Sequence, residues 1–291
     1  MRTLRTLVGM SLLAVLIAIG CAAFPVSVVD DRGIEVVIAG DPVRIVSLNA
    51  LYAQIIVDLG LTDRLVAVAT SDDNPSEVAG LPTVGAAFSP NVELILGYEP
   101  DLVLGANDWG GERDALESAD VTVLTTPWLT DVLSIFDTVR TISAALGVVE
   151  DGDRVIGQIA TDIIVAEAAA LGQAEVSAAF LYAATSEDPP YAAGSDAIEH
   201  ELILRAGGSN VFEELVWSPQ VSFEEIIARD PEVIFTAPSQ VSNILDNPFL
   251  QSVRAVKNGR VVGVPASDVA STRVASALQA IVDGLHDAGA E

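Results

Sequence analysis

One phrase occurs twice in this chain, 131 positions apart, and it limits the fold to architectures that can hold the same unit two times. The copies are Val92-Glu93-Leu94-Ile95-Leu96-Gly97-Tyr98-Glu99-Pro100-Asp101-Leu102-Val103-Leu104 and Phe223-Glu224-Glu225-Ile226-Ile227-Ala228-Arg229-Asp230-Pro231-Glu232-Val233-Ile234-Phe235. In each, a short helix with one apolar face must stop at the acidic residue before proline, because proline disfavours a helical residue ahead of it. An all-apolar run follows, as expected of a strand buried on both faces. Each copy also carries a glutamate near its helix start, Glu93 and Glu224.

The rest of the chain alternates in the same way. Val26–Val29 and Ile34–Ile38 read as a hairpin around Asp30-Asp31-Arg32-Gly33. Arg44–Leu48 reads as a strand, 50–59 as a helix closed by Gly60, and Leu65–Ala69 as a second strand. Helices are expected over Glu112–Ser118 and 131–146, with a strand over Val121–Leu124 between them. Asp151–Leu171 is the longest helical stretch without proline, about 30 Å at ~1.5 Å per residue. Beyond it come a strand at Ala179–Ala184, a helix at Ile198–Ala206 ended by Gly207-Gly208, a strand at Arg260–Val264 and an amphipathic helix at Arg273–Leu285. Strand, helix and strand in this order imply parallel sheets with right-handed crossovers, an α/β chain long enough for two cores.

The first twenty residues stand apart. Arg2 and Arg5 precede an apolar run from Leu7 to Ile19, shorter than the ~20 residues of a membrane span, and Gly20-Cys21 follows. This reads as an export signal ending at the chain's single cysteine, and Leu16–Cys21 resembles a lipobox, which makes Cys21 the candidate lipidation site. One cysteine excludes an internal disulfide, so the fold must stand on its core, for which 51% hydrophobic residues suffice. The net charge of −27, with Lys257 the one lysine, repels nucleic acid and anionic lipid and resembles the surfaces of proteins from salty environments.

The order of several short segments resembles the class III solute-binding proteins of ABC importers, which capture cobalamin, ferric siderophores or haem. The resemblance covers about residues 26–287. Its carriers are Pro42–Leu48 with Leu59-Gly60, Pro100–Val103, Glu201–Ile203 leading to Ala206–Phe212, Val221–Glu224 and Ala255–Val261. It implies two Rossmann-like lobes with central, mostly parallel sheets, joined by a single long helix. The boundaries it suggests are a signal over 1–20, a lipidated Cys21 and tether over 21–25, lobes over 26–148 and 174–291, and the connecting helix over 149–173. It also implies a small-molecule metal chelate of cobalt or iron held between the lobes, with no cofactor of the protein's own. The implied partner is a membrane permease with its ATPase, onto whose basic residues Glu93 and Glu224 dock. A monomer on the outer face of the cell membrane, or in the periplasm, is expected. For each glutamate alone the plainer account is a favourable helix-dipole interaction of ~0.3–1 kcal/mol. Asn91 as a cap and Ser222 with Glu225 as a capping box put both in a first helical turn.

Open α/β sheets bind ligands at the carboxyl ends of their strands, and the three tryptophans, Trp109, Trp128 and Trp217, fall in or beside such loops. Tyr191 and Asn49 do as well. Each ring either walls a cleft for a bulky ligand or covers a core edge. Arg273 either meets an acidic ligand group or stands in solvent. Bare-metal binding needs three or four ligands together, and the chain has two histidines, His200 and His286, both read as surface residues. No nucleophile elbow, phosphate loop or zinc-protease motif occurs, which argues against an enzyme. A lipoprotein of the same fold with a structural role and no importer is the other alternative. Few basic residues and three tryptophans tilt the ligand toward a corrinoid over an anionic siderophore.

Overall fold

The structure, a computed structural model, describes residues 24–105, 111–183, 185 and 188–286. The chain opens with the antiparallel hairpin β1 (Val26–Val29) and β2 (Glu35–Ile38). There follow β3 (Ile45–Ser47), α1 (Ala50–Asp58), β4 (Leu65–Val68), the small pair β5 (Gly85–Ala86) and β6 (Ser89–Pro90), α2 (Val92–Gly97), β7 (Leu102–Leu104), α3 (Glu112–Ser118), β8 (Val123–Leu124), α4 (Val132–Ala145) and α5 (Val149–Ala170). The later part comprises β9 (Val176–Tyr182), β10 (Tyr191–Ala192), α6 (Ile198–Arg205), β11 (Gly208–Asn210), α7 (Phe223–Arg229), β12 (Val233–Thr236), α8 (Val241–Leu245), α9 (Arg254–Lys257), β13 (Val261–Gly263), α10 (Ala266–Val269) and α11 (Val274–His286).

The repeated phrase marks equivalent places in two sheets of one design. In the first, all four strands are parallel in the order β4-β3-β7-β8. In the second, β11, β9, β12 and β13 are parallel in the corresponding order, and β10 adds antiparallel to the far end of β9. Both repeated helices end as proline demands. Glu99 and Asp230, each the residue before proline, adopt the left-handed conformation with φ 46°, which stops the helix and turns the chain into β7 or β12.

The strands are apolar throughout because both faces of each sheet are covered. On β3, β7, β9 and β12, alternate residues enter different clusters. Ile45, Leu102, Leu104, Ala178, Phe180, Val233 and Phe235 join one continuous core with α4, α5, α6 and α11. Val46 and Val103 face a smaller cluster outside the first sheet, and Ala179 and Ile234 another outside the second. The inner faces of the two sheets share one core, and each sheet keeps a satellite of its own. Helix α5 packs on both α4 and α11, so the covering layer is common to the two halves. Its crossing with α4 is close: a Cβ on Gly152 would lie 2.2 Å from Ser143 Oγ. Helix α5 begins two residues before the expected Asp151, β9 starts at Val176 and not Ala179, and Val121-Thr122 stay outside β8.

Candidate ligand cleft

Among the described residues three cavities have walls drawn from both halves, and two of them lie past the carboxyl ends of strands. The larger, about 540 Å³, is lined by Thr130 and Asp131 after β8 and by Ser195, Asp196, Glu201 and Trp217 of the second half. The smaller, about 160 Å³, places Asn49 and Gln54 of α1 opposite Ser267, Ser271 and Arg273. Three of the six residues expected to meet ligand therefore line these spaces: Trp217 the first, Asn49 and Arg273 the second.

Trp217 is exposed over 60% of its surface and has a left-handed backbone, φ 62°, unusual for a bulky residue. The chain around it explains how that is held. Residues 190–195 and 215–221 run side by side: Ala192 N–H donates to Pro219 O at 3.0 Å, Gly194 to Trp217 O at 2.6 Å and Ser195 to Leu215 O at 2.8 Å. Gly194 permits this approach, since a Cβ there would stand 2.3 Å from Leu215 O and 2.7 Å from Trp217 O. Backbone strain of this kind persists only where the surrounding structure over-determines it, as the paired loops do here. Next to it, Ser218 hydrogen-bonds Tyr182 at the end of β9, and Tyr182 in turn bonds Glu199 of α6. Burial pushes the Glu199 carboxyl above its usual range. Burial, with the adjacent Glu199 charge, likewise raises the Tyr182 phenol.

Helix α4 begins at the larger opening, and residues of both halves cap it. Asp131 accepts from Ser134 N at 2.7 Å in a capping box. The Val132 N–H, one of the amides a helix start leaves without an internal partner, donates to Glu201 Oε2 across the opening at 2.8 Å. Glu201 Oε1 also takes Arg205 at 2.6 Å, and Arg205 reaches Glu167 of α5 at 2.5 Å. On the other side, Asn49 caps α1 by accepting from Leu51 N at 2.9 Å. Arg273 is half-buried and neither solvated nor free: it pairs with Asp268 at 2.8 Å, donates to Ser267 O at 2.9 Å and bonds Gln54 of the opposite half.

Trp128 and Tyr191 are not among the lining residues of either cavity. Trp128 is exposed and stacks on exposed Phe88 of the turn between β5 and β6, centroids 6.1 Å apart. Tyr191 lies on β10, opposite Tyr182. Trp109 and Cys21 fall outside the described residues. The histidines are not the surface residues expected. Both are half-buried: His200 Nδ1 contacts buried Asn210, and His286 Nε2 lies 2.7 Å from Ala206 O. Among the described residues no cluster of three His, Cys, Asp or Glu could hold a metal ion. Sequence reasoning missed Asp131, Asp196, Glu201 and Phe88. Asp131, the residue before an apolar-periodic helix, carried a readable cap signal; the others carried none.

Glu93 and Glu224 occupy the same place in their helices, the second residue after the capping Asn91 and Ser222. Both are exposed, and among the described residues neither carboxylate has a hydrogen bond or ion pair.

Comparison with known proteins places the chain. The profile of the periplasmic binding protein family matches residues 45–267. The uncharacterized ABC transporter substrate-binding lipoprotein YvrC of Bacillus subtilis is 28% identical over 83% of this chain and 78% of its own length. The vitamin B12-binding protein of Salmonella choleraesuis is 26% identical over 67% of this chain and 72% of its own. Among solved structures, the periplasmic heme-binding protein RhuT of Roseiflexus sp. RS-1 superposes with a TM-score of 0.75 at 26% identity, covering 83% of this chain and 98% of that one.

Proposed function

Since the chain belongs to the periplasmic binding protein family, a family of solute binders and not of enzymes, we propose that it captures a metal chelate outside the cytoplasm and delivers it to an ABC importer. The observation that carries this reading is the larger opening: residues of both halves line it, and one wall bears an aromatic ring held exposed by a zipped pair of loops. A flat ring suits a bulky, rigid guest, because it supplies contact area with little entropy loss. Relatives named for vitamin B12 and heme support a tetrapyrrole-like or ferric chelate as the class of guest.

In this reading residues 26–148 and 174–291 are the two lobes, 149–173 connects them, and Trp217, Asn49 and Arg273 border the ligand, with Trp128 and Tyr191 nearer the rim and Trp109 a further ligand contact. Glu93 and Glu224 face the permease and its ATPase, one on each lobe, and meet basic side chains there. Cys21 is lipidated and ties the protein to the outer face of the membrane, as the YvrC name supports. Calorimetry and tryptophan fluorescence on the purified full chain, with cyanocobalamin, ferric hydroxamate and catecholate complexes and hemin, test the reading. One of these is expected to bind at micromolar or tighter and to change the fluorescence. Failure of all to bind below millimolar would sink it.

A further inference from the structure

The charges around the openings narrow the ligand class within the reading just given, on which this step rests. A protein that grips an anionic chelate needs guanidinium or ammonium groups free to reach it, since the forked Arg–carboxylate pair is the strong form of that contact. Among the described residues every arginine is already engaged by a carboxylate or by main-chain carbonyls. Lys257, the one lysine, closes α9 and lines neither cavity. The remaining sequence adds only Arg2 and Arg5 as bases.

At the larger opening the balance is negative. Arg205 is shared between Glu201 and Glu167, so two carboxylates surround one cation. Asp131 and Asp196 line the same space, and the contacts they make are to a main-chain amide and to the Ser195 hydroxyl, neither of which carries charge. At the smaller cavity Arg273 is balanced by Asp268, and Asp73 joins the lining. To hold an anion here, the protein would have to break an existing ion pair and leave a carboxylate unpaired beside the guest. Carboxylates accept hydrogen bonds and donate none, so they suit a guest edged with N–H groups, amide or ammonium.

We propose that the cleft takes a metal chelate that is neutral or cationic overall and edged with N–H donors, and that it rejects anionic chelates. The test compares four probes on the full chain by calorimetry: cyanocobalamin, neutral overall; ferrioxamine B, cationic; and ferric enterobactin and hemin, both anionic. At low salt, cyanocobalamin or ferrioxamine B is expected to bind at least about tenfold more tightly than either anion, a gap of ~1.4 kcal/mol. Asp196→Lys, on a half-buried side chain whose replacement can be checked by thermal unfolding, is expected to narrow that gap by about tenfold. Tighter binding of either anionic probe overturns the proposal, as does a gap that Asp196→Lys leaves unchanged in a normally folded variant. If none of the four binds, the chelate-carrier reading itself fails and this inference with it. Binding that obeys some other order leaves the carrier reading standing and removes only the charge rule.

Discussion

Asp101 and Glu232, 131 positions apart, do the same work in the two halves. Each carboxylate lies just before the inner strand of its sheet and accepts main-chain N–H groups at the start of the neighbouring parallel strand. Asp101 takes Val43 and Arg44 at 2.9 and 2.8 Å, and Glu232 takes Ser177 at 3.0 Å. An arginine then covers the end of each preceding helix, Arg44 on Tyr98 O and Arg254 on Asp230 O. The two arginines come from unrelated places, one before β3 and the other opening α9. The duplicated unit thus kept its carboxylate and found its arginine twice.

Glu232 carries a pH prediction. The Ser177 amide, then the Ser177 hydroxyl and Arg254, hold its carboxyl below the usual range despite partial burial. A depressed folded pKa contributes stability that is complete above the unfolded value and fades as pH falls through the folded one. Glu232→Gln should therefore cost about 1 kcal/mol at pH 7, and chemical denaturation of the two proteins should converge in acid below the ordinary carboxylate range. A deficit that persists at pH 2 would contradict this.

Glu199 should behave with the opposite sign. Burial raises its folded pKa, so its contribution is most favourable in acid and is eroded as pH rises from the unfolded value through the folded one. Glu199→Gln keeps an acceptor for Tyr182 without a charge to bury. Its Tm should match the parent near pH 4 and exceed it at pH 8. A lower Tm than the parent at pH 8 would count against the burial account.

Gly194→Ala separates the cleft from the core. The added Cβ meets main-chain atoms of Leu215 and Trp217, which cannot rotate away, so the zipped loops must part. Ligand affinity is expected to fall by about tenfold or more, and Trp217 emission to shift, while the buried layer of α4, α5 and α11 keeps the chain folded. Unchanged affinity would mean that the loop pairing does not set the ring.

Glu201 joins the halves through Val132. Glu201→Ala removes an acceptor from an orphan helix amide and leaves Arg205 with one partner, a loss of about 1.5–3 kcal/mol for hydrogen bonds to a charged group. Thermal unfolding should report it, together with faster hydrogen exchange in the first turn of α4. Unaltered exchange there would refute the cap.

Glu93→Ala and Glu224→Ala should leave ligand affinity intact. Each is an exposed residue in a first helical turn, so stability should fall by no more than ~1 kcal/mol. Uptake by cells carrying the double variant should drop by at least about tenfold if both acids meet the permease. Normal uptake would remove the docking role and leave the binding role untouched.

What the sequence determined by itself was everything local or repeated. Proline after Glu99 and Asp230, caps at Asn91 and Ser222, and all-apolar strand runs fixed element types because each signal acts within a turn or two of its own residue. The duplicated phrase fixed the two-sheet plan because equal patterns fold to equal units. Only the tertiary structure decided which residues face one another. Arg273 bonds Gln54 of the other half, His286 turns inward onto Ala206 O, and Glu201 caps a helix of the other half. Those outcomes depend on contacts between residues tens to hundreds of positions apart, set by the shared helical layer that brings α1, α4, α6 and α11 together. No pattern within a single segment encodes such a meeting, because its energy exists only once both partners have been brought out of water to the same place.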